Sequence, residues 1–201
     1  MSAGCDIVAV SSDAKPNTPD WLPPLPSRPW IQRPPELAQD DTPMIEVVQH
    51  AMAEIPGAPD DIWVLLQPTQ PFRTSARVRE AITLLRQYQD KSAIFPRGFQ
   101  PNSVVSVTAI PPTHCPEMVQ YVDSNGRLHG NWFERPTRRQ DVRQAYRPDG
   151  TVYAFWRKTV DEWGSIYGCH VQSLILEPHE TCELDTPEHW TALERRWQER
   201  P

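Results

Sequence analysis

The stretch DIWVLLQPTQPFR, residues 61–73, restricts the fold more than any other part of the chain. Its apolar run, residues 62–66, predicts a buried strand, and an uninterrupted run suits a central parallel strand covered on both faces. Pro68 and Pro71 then deny the chain further ladder pairing, so Gln67, Thr69 and Gln70 fall in a loop beyond the strand's carboxyl end. Thr74 can cap a following helix with Val78, Ile82 and Leu85 on one face. Open α/β sheets bind ligands outside the carboxyl ends of their strands, which directs attention to the Gln67 loop.

Other regions are bounded by the same logic. The chain has 201 residues, enough for a single α/β domain over 1–201 with a substantial core. A formal net charge of -6 argues against nucleic acid or a membrane surface as partner. No apolar run approaches a membrane span, and no basic-then-apolar leader opens the chain, so a soluble cytoplasmic protein is expected. The four cysteines have no framework spacing and are expected to be reduced thiols. Only eight glycines occur, none at dinucleotide or P-loop spacing.

In chain order, residues 7–10 predict a short strand closed by Ser11-Ser12-Asp13. Residues 14–35 hold eight prolines and predict an irregular or polyproline-like connector that Trp21 and Trp30 could pin. Thr42-Pro43 predicts a helix start with a hydroxyl cap and proline at the first position, and Ile45, Val48, Met52 and Ile55 share one face. Residues 104–107 predict a second buried strand, ended by Pro111-Pro112. Strand and helix therefore alternate, the pattern of a parallel sheet with crossovers. Asp123-Ser124-Asn125-Gly126 predicts a turn between extended runs at 118–122 and 128–133. Strands are predicted at 151–155 and 171–176. Thr186-Pro187 starts a last helix whose buried face would be Trp190, Leu193 and Trp197.

Glu183 and Asp185 stand two apart in an extended segment, so both carboxylates leave one face. Two hard oxygen donors suit Mg²⁺ shared with phosphate oxygens and water. A solvated acidic end before a helix N-terminus explains the same spacing, and from spacing alone it is the stronger explanation. Arg135, Arg138, Arg139, Arg143 and Arg147 offer donor forks for phosphate or carboxylate. They also suit an exposed charged face, with Glu134 and Asp141 interleaved.

Together these motifs resemble the acylneuraminate cytidylyltransferase family, which makes CMP-activated sialic acids, related nonulosonic acids and KDO. Residues 7–13, IVAVSSD, resemble the family's second strand and its S-T-D ending. RPPELA at 33–38 resembles R-P-x-E-L-A, and LLQPTQPFR at 65–73 is close to L-L-Q-P-T-S-P-L-R. SVVSVT at 103–108 matches without change. RRQDVRQAYRPDGTVY at 138–153 resembles R-R-Q-D-x-x-x-x-Y-R-x-N-G-A-I-Y. Residues 165–168 resemble S-F-F-G, and ELDT at 183–186 sits where the family has D-I-D-T.

The resemblance implies a three-layer α/β/α, Rossmann-like sheet of the nucleotide-diphospho-sugar-transferase type, with a protruding dimerisation element at 113–148. It implies transfer of CMP from CTP to an acidic sugar. Gln67 would contact substrate and Arg33 would lie near the nucleotide. Arg147 and Tyr153 would line the sugar pocket beside Ile166 and Tyr167. Arg139 would reach across a homodimer, and Glu183 and Asp185 would hold Mg²⁺. The chain has no counterpart, before Met1, of the family's first strand and its A-R-x-G-S-K loop. Asp149 stands for asparagine, Thr151 for alanine and Glu183 for aspartate, and a lysine expected near 117–120 is absent. Each change lowers positive charge or alters reach near a polyanion. Two readings follow: a CMP-sugar synthetase, or a catalytically degenerate member that acts as a sugar- or nucleotide-binding or scaffold protein. A chain start that omits the missing strand is a third possibility.

Overall fold

The computed structural model of the protein describes residues 4–14, 30–90, 101–130, 136, 138–182 and 184–198. Most of the proline-rich connector, with Trp21, lies outside them, as do Arg135 and Glu183.

Among the described residues, twelve helices and strands, apart from three short 3-10 turns, follow one another as β1 (Val10–Ser12), β2 (Trp30–Gln32), α1 (Met44–Glu54), β3 (Ile62–Leu65), α2 (Ser75–Asp90), β4 (Ser103–Ala109), β5 (Tyr121–Val122), β6 (Leu128–His129), β7 (Tyr146–Trp156), α3 (Arg157–Trp163), β8 (Val171–Leu176) and α4 (Pro187–Gln198). Four strands form one sheet in the order β3-β7-β4-β8, β1 pairs with β2 in parallel, and β5 pairs with β6 as an antiparallel hairpin. No helix among the described residues is long and apolar enough to cross a membrane.

The chain divides into two compact units. One comprises Met1–Leu66, Thr74–Val105 and Val152–Gln172; the other comprises Gln67–Arg73, Ser106–Thr151 and Ser173–Pro201.

The first unit is built on apolar periodicity. Val48 and Met52 of α1 are buried with Val105, Tyr153, Phe155, Val160 and Ile166, and Ile45, Trp63 and Leu65 pack against that cluster. In α2 the predicted face is buried, with Val78 at 2%, Ile82 at 8% and Leu85 at 0% exposure. Thr74 Oγ1 accepts from Arg77 N at 3.4 Å and so caps this helix as expected. The sequence had no clear signal for α3. It ends at Gly164, whose φ of +58° is the left-handed conformation glycine adopts without a Cβ clash. Arg157, its first residue, donates to the Met52 and Ile55 carbonyls at 2.9 and 3.1 Å and so satisfies the open carboxyl end of α1.

Four expectations need correction. β3 is not a central parallel strand: it ends the sheet order and pairs antiparallel with β7, Leu65 opposite Tyr153, and its residues are only half-buried. A short apolar run has the same appearance in either setting, because periodicity carries no information about which partner lies beside a strand. Thr42 does not cap α1. The cap position is Pro43, and the Thr42 hydroxyl accepts from Gln39 N at 3.1 Å instead. β1 begins at Val10, leaving Ile7 and Val8 exposed, because the parallel register with β2 starts at Val10 and Trp30. Finally, α4 starts as predicted, with Thr186 Oγ1 accepting from His189 N at 3.3 Å, but its aromatic face is open. Trp190 is 55% and Trp197 61% exposed.

Candidate active site

The second unit gathers the Gln67 loop, the bend of β7 and the segment that leads into α4. Gln70 is the centre of this arrangement. It was expected to be a loop residue, yet it is only 4% exposed. Its Nε2 donates to the Asp149 carbonyl at 2.5 Å, 79 positions away in sequence. Its Oε1 accepts from Cys182 N at 3.3 Å and from the Cys182 thiol at 3.5 Å, a separation of 112 positions. An unpaired buried carboxamide costs about 1–3 kcal/mol, so these bonds are what permits Gln70 to be inside. Arg73 Nη2 closes the loop on itself by donating to the Gln67 carbonyl. Burial pushes the Arg73 guanidinium below its ordinary value, while the nearby Cys182 thiol and Asp149 carboxyl push it back up.

Asp149 is 5% exposed and turned inward. Its Oδ1 accepts from Ser106 Oγ at 2.5 Å and from Thr151 N at 3.1 Å, and its Oδ2 accepts from Thr151 Oγ1 at 2.7 Å. Asp149 and Thr151 are the changes that alter charge and reach beside a polyanion, and in the structure the two pair with each other. The carboxylate is occupied by donors of the protein, and the Thr151 hydroxyl is one of them. Gly150 between the two has φ +80°, and a Cβ there would stand 2.8 Å from Gln67 Oε1. The glycine thus serves both the backbone bend and the close approach of Gln67.

Arg147 is exposed on β7 and borders a cavity of about 330 Å³ that Thr181, Cys182, His189, Leu193 and Arg196 also line. Two guanidinium groups and an imidazole suit an anionic ligand. Arg196 is partly engaged already: it donates to the Thr181 carbonyl at 2.7 Å and lies 4.7 Å over the Phe72 ring. Asp185 is exposed just before α4, and its carboxylate makes no hydrogen bond or ion pair among the described residues. Arg139 opens a 3-10 turn, Arg139–Asp141. Neighbouring Arg138 and Arg143 pair with Asp141 and Glu117 at 2.9 and 3.5 Å, as an exposed charged face would.

The remaining predicted residues belong to the first unit. Arg33 Nη2 donates to the Ser11 carbonyl at 3.1 Å, while Arg33 Nε and Ser11 Oγ are buried without a partner among the described residues. Such orphaned donors and acceptors are uncommon in a folded chain and are met by an ordered water or a ligand. Tyr153 and Ile166 lie in the apolar cluster, and the Tyr153 ring meets Tyr167 edge-on at 6.2 Å.

Sequence reasoning missed Gln70, Ser106, His189 and Arg196. Gln70 sits between two prolines and looks solvated; only its difference from the serine of the L-L-Q-P-T-S-P-L-R pattern marks it out.

No protein-family model matches the chain. A CMP-N,N'-diacetyllegionaminic acid synthase of Legionella pneumophila is 27% identical to it over 204 residues, which covers 97% of this chain and 79% of the relative. Among solved structures, a CMP:2-keto-3-deoxy-manno-octonic acid synthetase complexed with CTP superimposes with a TM-score of 0.52 at 12% identity, covering 86% of this chain and 72% of that one. The second likeness shows the α/β fold; the first extends over nearly every motif read from the sequence. With those motifs in order along the chain, this protein is similar over almost its whole length to a CMP-nonulosonic acid synthase and shares the α/β fold of a CMP-sugar synthetase.

Proposed function

We propose that this chain transfers CMP from CTP to a nonulosonic acid, with release of pyrophosphate. The observation that carries the reading is the Gln70 bridge. It joins the Gln67 loop to the strand that holds Arg147 and to the segment that leads to Asp185, across 79 and 112 positions. Motifs far apart in sequence are drawn into one unit, as a site for two polar substrates requires.

In the reaction a sugar hydroxyl oxygen bonds to the α-phosphorus of CTP, the bond from that phosphorus to the β-phosphate oxygen breaks, and the hydroxyl proton leaves to solvent or a base. Little covalent work falls to the protein, so positioning and charge neutralisation dominate. Gln67 orients substrate at the end of β3. Arg147 presents a guanidinium to the anionic sugar, and Arg139 acts from a second copy of the chain. By the family motifs, Arg33 serves the nucleotide, and Tyr153, Ile166 and Tyr167 serve the sugar.

The donor set fits Mg²⁺ in one respect that can be read here. Asp185 offers a hard, exposed carboxylate just before α4. That suits a cation held by one or two carboxylates and completed by phosphate and water, with Glu183 as the second protein ligand. Bound there, Mg²⁺ supplies charge neutralisation on the triphosphate.

A homodimer through residues 113–148 is part of the same proposal. The β5/β6 hairpin exposes Tyr121 at 77%, Val122 at 65% and Leu128 at 52%, an apolar surface that a second copy would cover. All four cysteines are free, which accords with a cytoplasmic setting.

The test is pyrophosphate release from Mg²⁺-CTP with a panel of nonulosonic acids and KDO. Turnover is expected with at least one acid, and Asp185→Ala is expected to abolish it with no change in Tm. Absence of turnover across the panel with pure dimer would overturn the proposal.

A further inference from the structure

Three positions at which this chain departs from the family motifs are bonded to one another. Gln70 replaces serine, Asp149 replaces asparagine and Thr151 replaces alanine, and all three are buried. Thr151 donates from its backbone and its hydroxyl to the Asp149 carboxylate, at 3.1 and 2.7 Å. Ser106 of β4 donates to the same carboxylate. While its side chain is anchored in this way, the Asp149 backbone carbonyl accepts from Gln70.

We propose that Gln70 is a positioning residue for the proposed transfer reaction, one that sets the Gln67 loop against the Cys182–Asp185 segment through a network this chain has in place of the family's serine, asparagine and alanine. The inference rests on the reading given under Proposed function.

The argument is one of reach and valence. A carboxamide has a donor end and an acceptor end, and here each end goes to a different stretch of chain: Asp149 on one side, Cys182 on the other. A serine hydroxyl ends two covalent bonds nearer the backbone and cannot span both. Gly150 leaves the space this needs, since a Cβ there would meet the Gln70 side chain at 3.5 Å as well as Gln67 Oε1 at 2.8 Å. Gln67 and Gln70 are therefore seated against the same glycine. Cys182 lies three positions before Asp185, so the hydrogen bond to its N–H ties the chain just ahead of that carboxylate to the Gln67 loop. Gln70 is buried and acts through these neighbours, without contacting the reacting atoms itself.

The experiment compares wild type, Gln70→Ser, Gln70→Glu and the triple variant Gln70→Ser/Asp149→Asn/Thr151→Ala. Gln70→Ser is expected to lower kcat about tenfold or more while KM for CTP moves by less than about twofold, the signature of misplaced groups in a site that still binds. Gln70→Glu keeps the length but puts an acceptor against the Asp149 carbonyl, and it is expected to lose a similar amount. The triple variant, which restores a set that the family motifs use together, is expected to recover most of the kcat lost in Gln70→Ser. A residue that only adds stability would instead give losses that accumulate.

Amide hydrogen exchange gives a readout free of catalysis. In Gln70→Ser, exchange is expected to rise in peptides spanning 67–73 and 181–185 and to stay unchanged in α2. Unchanged exchange at 181–185, or an unchanged kcat in Gln70→Ser, overturns the positioning role. If wild type turns over no substrate, the transfer reading fails, and the exchange result alone decides whether Gln70 sets these two segments.

Discussion

In the unit that carries α1, α2 and α3, Val48, Met52, Val78, Leu85, Phe155 and Val160 are buried, most of them at helical spacing. In the unit that carries the Gln67 loop, Phe72, Leu174 and Leu176 are buried too, but so are Gln70, Ser106, Asp149 and Thr151. The first arrangement is mainly non-directional, the buried Ser103 and Thr159 hydroxyls apart: burial of apolar area stabilises it, and a side chain of similar volume would serve. The second is directional: each polar group is inside only because a named partner meets it. The difference teaches where precision is stored. Apolar packing holds the frame, and side-chain-to-backbone hydrogen bonds set the distances within the candidate site.

The contrast is exposed most severely by Phe155→Ala. Its ring is 1% exposed in the apolar cluster. The cavity left behind is expected to cost about 3–5 kcal/mol of stability, read by urea titration. Turnover per folded molecule is expected to stay near wild type. A large fall in kcat with little loss of stability would mean that the apolar unit also sets the chemistry, and the comparison would fail.

Gly150→Ala follows in size. The φ of +80° costs a non-glycine residue about 1–2 kcal/mol, and the added Cβ crowds Gln67 Oε1. Here kcat is expected to fall further than stability, the reverse of Phe155→Ala. Ser106→Ala is milder. It removes one of the donors to the Asp149 carboxylate while Thr151 retains its two, so a loss of about 1 kcal/mol is expected by the same titration.

These cases also explain what the sequence could and could not disclose. The faces of α1 and α2 were legible because burial at i, i+3, i+4 and i+7 leaves a periodic trace. The end of β3 and the loop after it were legible because prolines forbid pairing. The boundaries of β8 and the start of α4 were legible for similar local reasons. What failed was partnership. An apolar run does not name its neighbour, so the same residues suit a central parallel strand and the antiparallel end strand that β3 is. A tryptophan stripe does not show what it faces: the spacing predicts a buried face, yet Trp190 and Trp197 are more than half exposed, with the Trp197 ring stacked on Phe72 at 6.0 Å. Gln70 left no periodic signal at all, because a buried amide is defined by two partners 79 and 112 positions away. Trp190→Ala sharpens this point. Its indole N–H already bonds Glu194 one turn along α4, and its side chain is otherwise open, so stability is expected to shift by about 0.5 kcal/mol or less.

The smallest effect expected is electrostatic and lies in the β5/β6 hairpin, where the polar network is exposed and directional at once. Asp123 Oδ1 accepts from the Asn125 and Arg127 amides, both at 2.9 Å, and Oδ2 meets His129 Nε2 at 3.0 Å. An ionised carboxylate only accepts, so the ring nitrogen facing it carries the proton. The His129 hydrogen bond first, then that from the Arg127 backbone, holds the Asp123 carboxyl below its ordinary value, with Asn125 adding to them. A lowered acid contributes stability that is fully present above the ordinary value of 3.8 and is lost as pH falls through the folded one. Because the group is exposed and its partners are local, that loss belongs to the turn and not to the whole fold. The expected result is a titration of the Asn125 and Arg127 amide resonances with a midpoint below 3.8, absent in Asp123→Asn, with the shifts of Phe155 and Gln70 flat over the same range. If Gln70 moved with the turn, the polar contacts of the second unit would form one coupled network, and the division between local turn and buried site would have to be redrawn.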